Sequence, residues 1–464
     1  MSRPPVQGAG PANSLADIAG LRVGHATLDG PGWLTGVTVI LAPPAGATGG
    51  VDARGGSPGT RETDLLDPVN QVEKVNAIVL SGGSAYGLAA AHGVMTALAG
   101  QQRGVRVGPD PAQVVPIVPA AILFDLGRGG AFGNVPGPEA GLAAFEDALA
   151  DDRGALHGPG RPGNIGAGTG ALAGQLKGGI GSASQVLGEA DLGPAPGSGG
   201  TMDDGNGRRV TVAALAAVNA VGSVADPRTG ELYGARFGLP GEFDWLVAPD
   251  PAELQAGADW LDPRPREPRP RELPVRQAPG GAAQGGDQAS DQGRDGDGRG
   301  DGRGDGQPGR GAEGGKAPGW EASSENGPGG QASPSDAPGS SRSAGQRWPS
   351  KAVPRPLNTT IGVVATDASL TKAQCAKLAA VAQDGLARAI RPAHSMFDGD
   401  TIFALATGEG PPATPLEFHA ILSAAADCFT RAITHGVLAA STVVTEDGPW
   451  LSYLDLFPSA RGPG

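Results

Sequence analysis

The segment NTTIGVVATDASL, residues 358–370, decides the fold prediction. Ile361, Val363 and Val364 give it the apolar, β-branched character of a buried strand. A helix is predicted next, over 371–390, because Thr371 and Gln374 fit a capping box and the apolar residues that follow recur at helical spacing. This part of the chain therefore alternates a buried strand with an amphipathic helix.

The same two patterns, buried strand and amphipathic helix, recur on both sides of that segment. Strands are predicted over 21–27, 37–42, 75–80, 114–124, 210–224 and 400–407, and helices over 85–98, 139–149 and 416–440. Ser84 is the expected N-cap of the helix over 85–98. Mixed strands and helices separated by glycine turns indicate an α/β or α+β sandwich.

One long stretch cannot belong to the core. The chain has 464 residues with 80 Gly and 43 Pro, and residues 276–350 contain no Val, Ile, Leu, Met or Phe. Such a segment cannot bury enough apolar surface to offset its ordering entropy. We therefore predict a disordered insert over 263–355, with residues 1–262 and 356–464 folding together. Its Asp-Gly repeats lack the Glu that closes an EF-hand loop.

Charge and composition exclude several function classes. A net charge of -13 argues against nucleic acid as a partner, and no apolar run reaches the length of a membrane span or a signal peptide. Two cysteines, Cys375 and Cys428, fit a reducing compartment, so a cytoplasmic location is expected. The histidines form no zinc motif, and we predict neither a metal nor a cofactor.

The bond between Asn358 and Thr359 is the first candidate for chemistry. If it were cut, Thr359 would carry a free α-amine, whose ordinary pKa of about 7.7 to 8 suits it to accept the proton of the same residue's hydroxyl. One residue would then supply both nucleophile and base. A threonine-rich strand start after a linker is the plain alternative.

Four other residues complete the candidate site. Asp398 and Asp400, in FDGD at the mouth of a strand, could hold that amine and pass protons, with a solvated turn before the strand as the plain alternative. Asn219, in a predicted apolar strand, and backbone N–H groups of the glycine-rich stretches could stabilise an oxyanion, although an ordinary structural hydrogen bond explains a buried Asn equally well. Lys177, alone among glycines, could offset the two carboxylates, although most lysines serve only to solvate a surface.

Two further motifs test other classes of protein. Residues 166–171, GAGTGA, match a G-x-G-x-x-A dinucleotide pattern, but no strong strand precedes them. In SGGSAYG, Tyr86 stands where a serine-hydrolase elbow needs its last glycine. A nucleotide-binding or scaffolding protein thus stays a distant alternative.

Taken together, several segments resemble one family, the self-cleaving DmpA-like L-aminopeptidase/D-esterases, which include β-peptidyl aminopeptidases and nylon-oligomer endohydrolases. The resemblance spans nearly all the ordered chain, through LADIAGLRVGHAT, AIVLSGGSAYGLAAAHGVM, VPIVPAAILFDLG, GNIGAGTGALAG, KGGIG, VNAVGSVADPRTG, NTTIGVVATDA and FDGDTIFALATG. The order and spacing of these segments make it specific.

The resemblance implies a precursor that cuts itself into an α chain and a β chain, the latter beginning at Thr359. It also implies that Asp398 and Asp400 assist, that Asn219 stabilises the oxyanion and that Lys177 stands near the nucleophile. A four-layer α-β-β-α sandwich of the N-terminal-nucleophile type and a homo-oligomer, a tetramer of processed units, are expected by the same likeness.

The function that follows is a cofactor-free amide hydrolase, aminopeptidase-like, acting on small peptides or amino-acyl amides through an acyl-enzyme. Phe124 stands where the nylon-hydrolase branch has a tyrosine, and a threonine nucleophile with two Asp departs from the aminopeptidase branch, which uses serine. Hydrolysis of ω-amide oligomers and acyl transfer to an amine therefore stay open.

Overall fold

Two β-sheets packed face to face between layers of helices form the body of the protein. The computed structural model describes residues 6–150, 163–192, 209–261, 357–410, 413–446 and 448–462, and the predicted insert over 263–355 lies outside them. The α-helices in these ranges are α1 (Ala90–Gly100), α2 (Pro138–Ala150), α3 (Glu189–Leu192), α4 (Pro251–Leu261), α5 (Lys372–Ala389), α6 (Pro415–Ala439) and α7 (Tyr453–Leu456).

The strands of the same ranges form the two main sheets and three short hairpins. In chain order they are β1 (Arg22–Leu28), β2 (Thr35–Leu41), β3 (Ala47–Ala53), β4 (Thr60–Arg61), β5 (Lys74–Val75), β6 (Ala77–Ser81), β7 (Val105–Arg106), β8 (Val114–Val115), β9 (Ala120–Ile122), β10 (Leu172–Ala173), β11 (Leu176–Lys177), β12 (Ile180–Leu187), β13 (Val210–Ala217), β14 (Ile361–Thr366), β15 (Thr401–Ala406), β16 (Val443–Thr445) and β17 (Gly448–Trp450).

Both main sheets are mixed. The first has the order β1-β2-β6-β9-β4, with β6 and β9 parallel and the other neighbours antiparallel. The second has the order β12-β13-β14-β15-β3-β5, in which only β14 and β15 are parallel. The strands at 361–366 and 401–406 therefore lie in the middle of a sheet whose other strands come from the first 217 residues.

Three apolar cores hold the four layers together. Side chains of both sheets meet in the central core, among them Ile40, Ile78, Leu215, Val363 and Phe403. The outer face of the first sheet packs on α1 and α2, and that of the second on α5 and α6. The predicted α-β-β-α sandwich is thus confirmed. Burial on both faces explains why β2, β14 and β15 read as continuous apolar runs.

Helix and sheet backbones approach each other most closely at glycines. A Cβ on Gly24 of β1 would lie 2.2 Å from backbone atoms of α2, and a Cβ on Gly50 of β3 would lie 2.4 Å from α5. At Gly181 of β12 the distances are 2.1 Å to the carbonyl oxygen of Ala432 and 2.2 Å to the amide nitrogen of Gly436, both in α6. Any side chain there has to push the helix off the sheet.

We therefore expect Gly181→Ala to destabilise the protein by at least about 2 kcal/mol, because the added methyl meets backbone rather than a flexible side chain. Urea unfolding measures the change. Gly188→Ala is the matched control, since a Cβ on Gly188, just after the same strand, meets no atom of the described ranges within 4 Å. Equal stabilities of the two variants would contradict the close contact between β12 and α6.

Four predicted elements need correction: the strand over 75–80, which is split at Asn76 into β5 and β6 of different sheets, the strand over 210–224, which ends at Ala217, and two more. The helix over 85–98 begins as a 3-10 helix, Ser84–Ala89, and becomes α-helical only at Ala90. The N-cap of that 3-10 helix is Gly83, so Ser84, expected to be the N-cap, is instead its first residue, with φ +52°. The strand over 114–124 is broken into β8 and β9, which flank Pro116 and Pro119. By contrast, the capping box of Thr371 and Gln374 is confirmed at the start of α5.

Candidate active site

Thr359 lies buried just before β14. Its hydroxyl donates to the carbonyl oxygen of Asn358 at 2.5 Å and accepts a hydrogen bond from the N–H of Gly399 at 3.1 Å. The hydroxyl oxygen therefore sits against the carbonyl group that precedes it in the chain. Gly399, whose N–H donates to this oxygen, is the central residue of the DGD triplet.

The parallel pairing of β14 and β15 creates this arrangement. Ile361 is opposite Thr401, so the segments that lead into the two strands run side by side at one edge of the sheet. Asn358 forms a parallel bridge with Asp398, and its N–H donates to the carbonyl oxygen of Phe397 at 3.1 Å. Residues distant in sequence are thus brought together because both strands begin at the same edge.

The two acids are close to Thr359 but have different partners. Asp400 Oδ1 accepts the N–H of Thr360 at 2.8 Å, while Asp400 Oδ2 faces Nδ1 of His394 at 2.9 Å. Asp398 accepts hydrogen bonds from the N–H of Val221 and from Ser395. Burial, reinforced by the negative charge of Asp400, raises the pKa of Asp398, and these hydrogen bonds oppose the shift.

Asn219 is fully buried, but it follows β13 rather than lying within it, because the strand ends at Ala217. Its Oδ1 accepts from the N–H of Leu172 at 2.9 Å, and its Nδ2 donates to the carbonyl oxygen of Phe124 at 3.2 Å. The hydroxyl of Thr360 donates to its backbone carbonyl at 3.2 Å. Asn219 thus joins the residue after Thr359 to the loop that carries Phe124.

Arg128, which the sequence analysis missed, links Asn219 to the residue before Thr359. Its Nη1 donates to Asn219 Oδ1 and to the carbonyl oxygen of Gly170, both at 2.7 Å, and its Nη2 donates to Asn358 Oδ1 at 2.6 Å. Burial lowers its pKa to about 10 while Asp125 opposes the shift, so the guanidinium stays charged at neutral pH. The sequence feature that could have pointed to Arg128 is a basic residue within the glycine-rich segment LGRGG.

Lys177 is fully buried, so the alternative of a surface lysine is wrong. Its ammonium donates to the carbonyl oxygens of Gly168, Ala171 and Gly178 at 2.7 to 3.0 Å. Burial, followed by the charge of Arg128, lowers its pKa well below the ordinary value, and Asp125 opposes this. Its electrostatic partners are thus Arg128 and Asp125, and none of its hydrogen bonds reaches Asp398 or Asp400.

The glycine-rich stretch supplies hydrogen-bond acceptors to this cluster. Gly166–Gly168 form a short 3-10 helix, and the carbonyls of Gly168 and Gly170 accept from Lys177 and Arg128. The N–H groups of Gly166, Gly168 and Gly178 donate elsewhere, to Thr27, Ile165 and Ala171. The backbone donor that reaches Thr359 is therefore Gly399.

His394 is the second residue that sequence reasoning passed over, although it lies within AHSMFDGD. It has φ +56°, and besides its ring contact its N–H donates to Asp400 Oδ2 at 3.2 Å. Among the residues that the structure describes, its buried Nε2 has no hydrogen-bond partner. Within the ranges that the structure covers, no group of three His, Cys, Asp or Glu could hold a metal ion, and no helix is long and apolar enough to cross a membrane.

Comparison with known proteins places this arrangement in a family. Residues 13–450 match the model of peptidase family S58. Uncharacterized aminopeptidases of Mycobacterium bovis and Mycobacterium leprae are both 38% identical to this chain, over 97% and 98% of it and 99% and 97% of their own lengths. A 6-aminohexanoate-oligomer endohydrolase of a Kocuria strain is 35% identical over 37% of this chain and 42% of its own.

Solved structures share the fold at low identity. A β-aminopeptidase of a Burkholderia species matches with a TM-score of 0.55 at 18% identity, over 99% of this chain and 96% of its own. The L-aminopeptidase D-Ala-esterase/amidase of Ochrobactrum anthropi, described as a variant of the Ntn hydrolase fold, matches with a TM-score of 0.55 at 17% identity, over 98% and 94%. The chain therefore belongs to peptidase family S58, the DmpA-like aminopeptidase family, and is a peptidase.

Proposed function

We propose that this peptidase cuts its own Asn358–Thr359 bond and then acts as an aminopeptidase-like amide hydrolase with Thr359 as its N-terminal nucleophile. The observation that carries the proposal is the hydroxyl of Thr359 lying 2.5 Å from the carbonyl oxygen of Asn358, while the Gly399 N–H donates to that hydroxyl. The hydroxyl that attacks is thus already in contact with the carbonyl group of the bond to be cut.

Self-cleavage is an acyl shift from nitrogen to oxygen. The oxygen of Thr359 attacks the carbonyl carbon of Asn358, the C–N bond breaks, and the departing nitrogen of Thr359 ends with the hydroxyl proton. Water then hydrolyses the resulting ester. Asn358 is left with a carboxylate, and Thr359 regains its hydroxyl and gains a free α-amine.

Substrate hydrolysis uses the same atoms. The α-amine of Thr359 takes the proton of the hydroxyl as its oxygen attacks the substrate carbonyl, and returns that proton to the leaving amine. Water resolves the acyl-enzyme by the reverse path. Asp400, which already binds the N–H of Thr360, is the acid we assign to orienting the amine. Asn219 Nδ2 and the Gly399 N–H are the candidate oxyanion donors.

The environment of Asn358 supports preference for a free amine on the substrate. Asn358 occupies the acyl side of the bond that Thr359 attacks, and its N–H donates to the carbonyl of Phe397 beside buried Asp398. An ammonium group placed at that nitrogen would meet the carbonyl oxygen of Phe397, next to Asp398, whose backbone pairs with Asn358. Asp398 would hold the ammonium as its charge partner.

The wider organisation follows from the same proposal. Residues 1–262 would supply the α-chain part of the domain and residues 356–464 the β-chain part, which starts functionally at Thr359, so that the segment 263–355 and residues 356–358 would end the α chain. A cytoplasmic tetramer of processed units stays a prediction. Lys177 would act through Arg128 and Asp125 rather than on the substrate, since its ammonium contacts carbonyls alone.

The aminopeptidase assignment predicts a strong response to blocking the substrate amine. Alanine p-nitroanilide should be cleaved with a kcat/KM at least about 100-fold higher than its N-acetyl form, because the blocked amine leaves the buried carboxylate of Asp398 without its charged partner. Release of p-nitroaniline measures both rates. Equal rates, or preference for the acetylated compound, would overturn the assignment.

Two alternatives within the same chemistry can be separated with the same enzyme. The likeness to the 6-aminohexanoate-oligomer endohydrolase favours trial of ω-amide oligomers, whose turnover above that of alanine p-nitroanilide would identify an oligomer hydrolase. Added hydroxylamine or amino acids distinguish hydrolysis from acyl transfer, because a transferase forms the new amide in preference to the free acid.

A further inference from the structure

Arg128 is the side chain that holds the residue before the proposed cut. Two of its three hydrogen-bond partners, Asn219 Oδ1 and the carbonyl of Gly170, belong to the buried frame of the site. The third, Asn358 Oδ1 at 2.6 Å from Nη2, belongs to the residue whose carbonyl Thr359 contacts. Cleavage therefore frees Nη2 of Arg128 as a charged donor. The contacts with Asn219 and Gly170 fix the position of the guanidinium.

Asn358 marks where a substrate's acyl residue would lie. Before cleavage, Asn358 is the acyl residue of the bond at Thr359, and afterwards a substrate must present its own carbonyl to the same hydroxyl. This step rests on the proposed function. The side chain of Asn358 then indicates the direction in which the side chain of the substrate's acyl residue extends, and that direction leads to Nη2 of Arg128.

We propose that Arg128 is a specificity-determining residue that selects substrates whose acyl residue carries a hydrogen-bond-accepting oxygen on its γ carbon, as asparaginyl and aspartyl residues do. An acceptor there makes a charge-assisted hydrogen bond to a guanidinium that is already oriented. An apolar side chain of the same shape leaves the freed donor unpaired in a half-buried site, which costs the full desolvation of that group.

The test compares asparaginyl, aspartyl and leucyl p-nitroanilides on the mature wild-type enzyme. Leucine matches asparagine in size and branching but lacks the acceptor. We expect kcat/KM for the asparaginyl substrate to exceed that for the leucyl one by about 10- to 100-fold, and Arg128→Met to bring the ratio close to one. A ratio near one in the wild type, or an unchanged ratio in Arg128→Met, overturns this inference alone. No turnover of any of the three overturns this inference, and it overturns the proposed function as well if alanine p-nitroanilide is also not cleaved.

A variant on the other side of the contact keeps the test informative if Arg128→Met does not mature. Asn358→Leu removes the acceptor from the precursor, so we expect its self-cleavage to slow by a similar factor. Its mature form should keep the wild-type preference for asparaginyl over leucyl substrate, because residue 358 no longer occupies the site. Cleavage of Asn358→Leu at the wild-type rate would contradict a positioning contact from Arg128.

Discussion

Thr359→Ala should remain a single uncut chain and lose at least about 10⁴-fold in kcat toward amino-acyl amides, as expected when a covalent nucleophile is removed. The change deletes the hydroxyl that contacts the carbonyl of Asn358 and accepts the N–H of Gly399. Without that oxygen there is no acyl shift. Without cleavage there is no free α-amine to act as base.

Denaturing electrophoresis and release of p-nitroaniline measure the two losses. Thr366→Ala is the matched control: Thr366 is also buried, at the far end of β14, and its hydroxyl donates to the carbonyl of Thr211 at 2.9 Å. It should mature and turn over normally, while Thr359→Ser should retain both activities in part. Cleavage or turnover by Thr359→Ala at rates near wild type would contradict the nucleophile assignment.

The largest effect on stability is expected away from the site, at Arg431. This fully buried residue of α6 donates to both oxygens of Glu242, at 2.6 and 2.8 Å, and to Asn13 Oδ1 at 2.8 Å. His435, also on α6, faces Glu242 Oε1 at 2.7 Å. The cluster therefore ties the helix to two separate loops, and each buried charge depends on the other.

Arg431→Met should lower the free energy of unfolding at pH 7 by about 3 to 5 kcal/mol, since it leaves the buried carboxylate of Glu242 without its main partner. Urea unfolding provides the measurement. Arg388→Met is the control, because the 2.6 Å pair of Arg388 with Asp427 is more than a third exposed and should contribute about 1 kcal/mol or less. Equal losses in the two variants would contradict a special role for the buried pair.

The pair of Glu242 and Arg431 makes the free energy of unfolding depend on pH. Burial alone would raise the pKa of Glu242, but the hydrogen bonds from His435 and Arg431 and the charge of Arg431 hold it well below its ordinary value of 4.5. A depressed pKa contributes stability that is present above the unfolded value and is lost as the pH falls through the folded one. The difference between wild type and Arg431→Met should therefore shrink below about pH 4.5.

The sequence predicted those parts of the fold that depend on local pattern. The strand over 361–366 and the capped helix after it follow from apolar periodicity and from Thr371 with Gln374, and both are confirmed. Thr359 and the DGD triplet each precede a predicted strand, and this was the sequence signal that they could lie close together. The parallel pairing of β14 and β15 places them at the same edge of the sheet.

The remaining features depend on contacts that no local pattern encodes. Asn219 was expected inside a strand, but the chain leaves the sheet at Ala217 and the side chain turns to the loops of Phe124 and Leu172. Arg128 lies in a loop rich in glycine, where no periodicity assigns a direction to its side chain. Lysine is a residue type that usually lies at the surface. The burial of Lys177 is explained by the carbonyl groups that accept hydrogen bonds from its ammonium.

Self-activation at Thr359 is best tested by intact-mass analysis of the purified wild-type chain, with N-terminal sequencing of any smaller fragment. Cleavage at Asn358–Thr359 should give two polypeptides, the smaller beginning at Thr359, in a preparation that cleaves amino-acyl amides. A single chain with the Asn358–Thr359 bond intact after prolonged incubation, and yet with full activity, would contradict it.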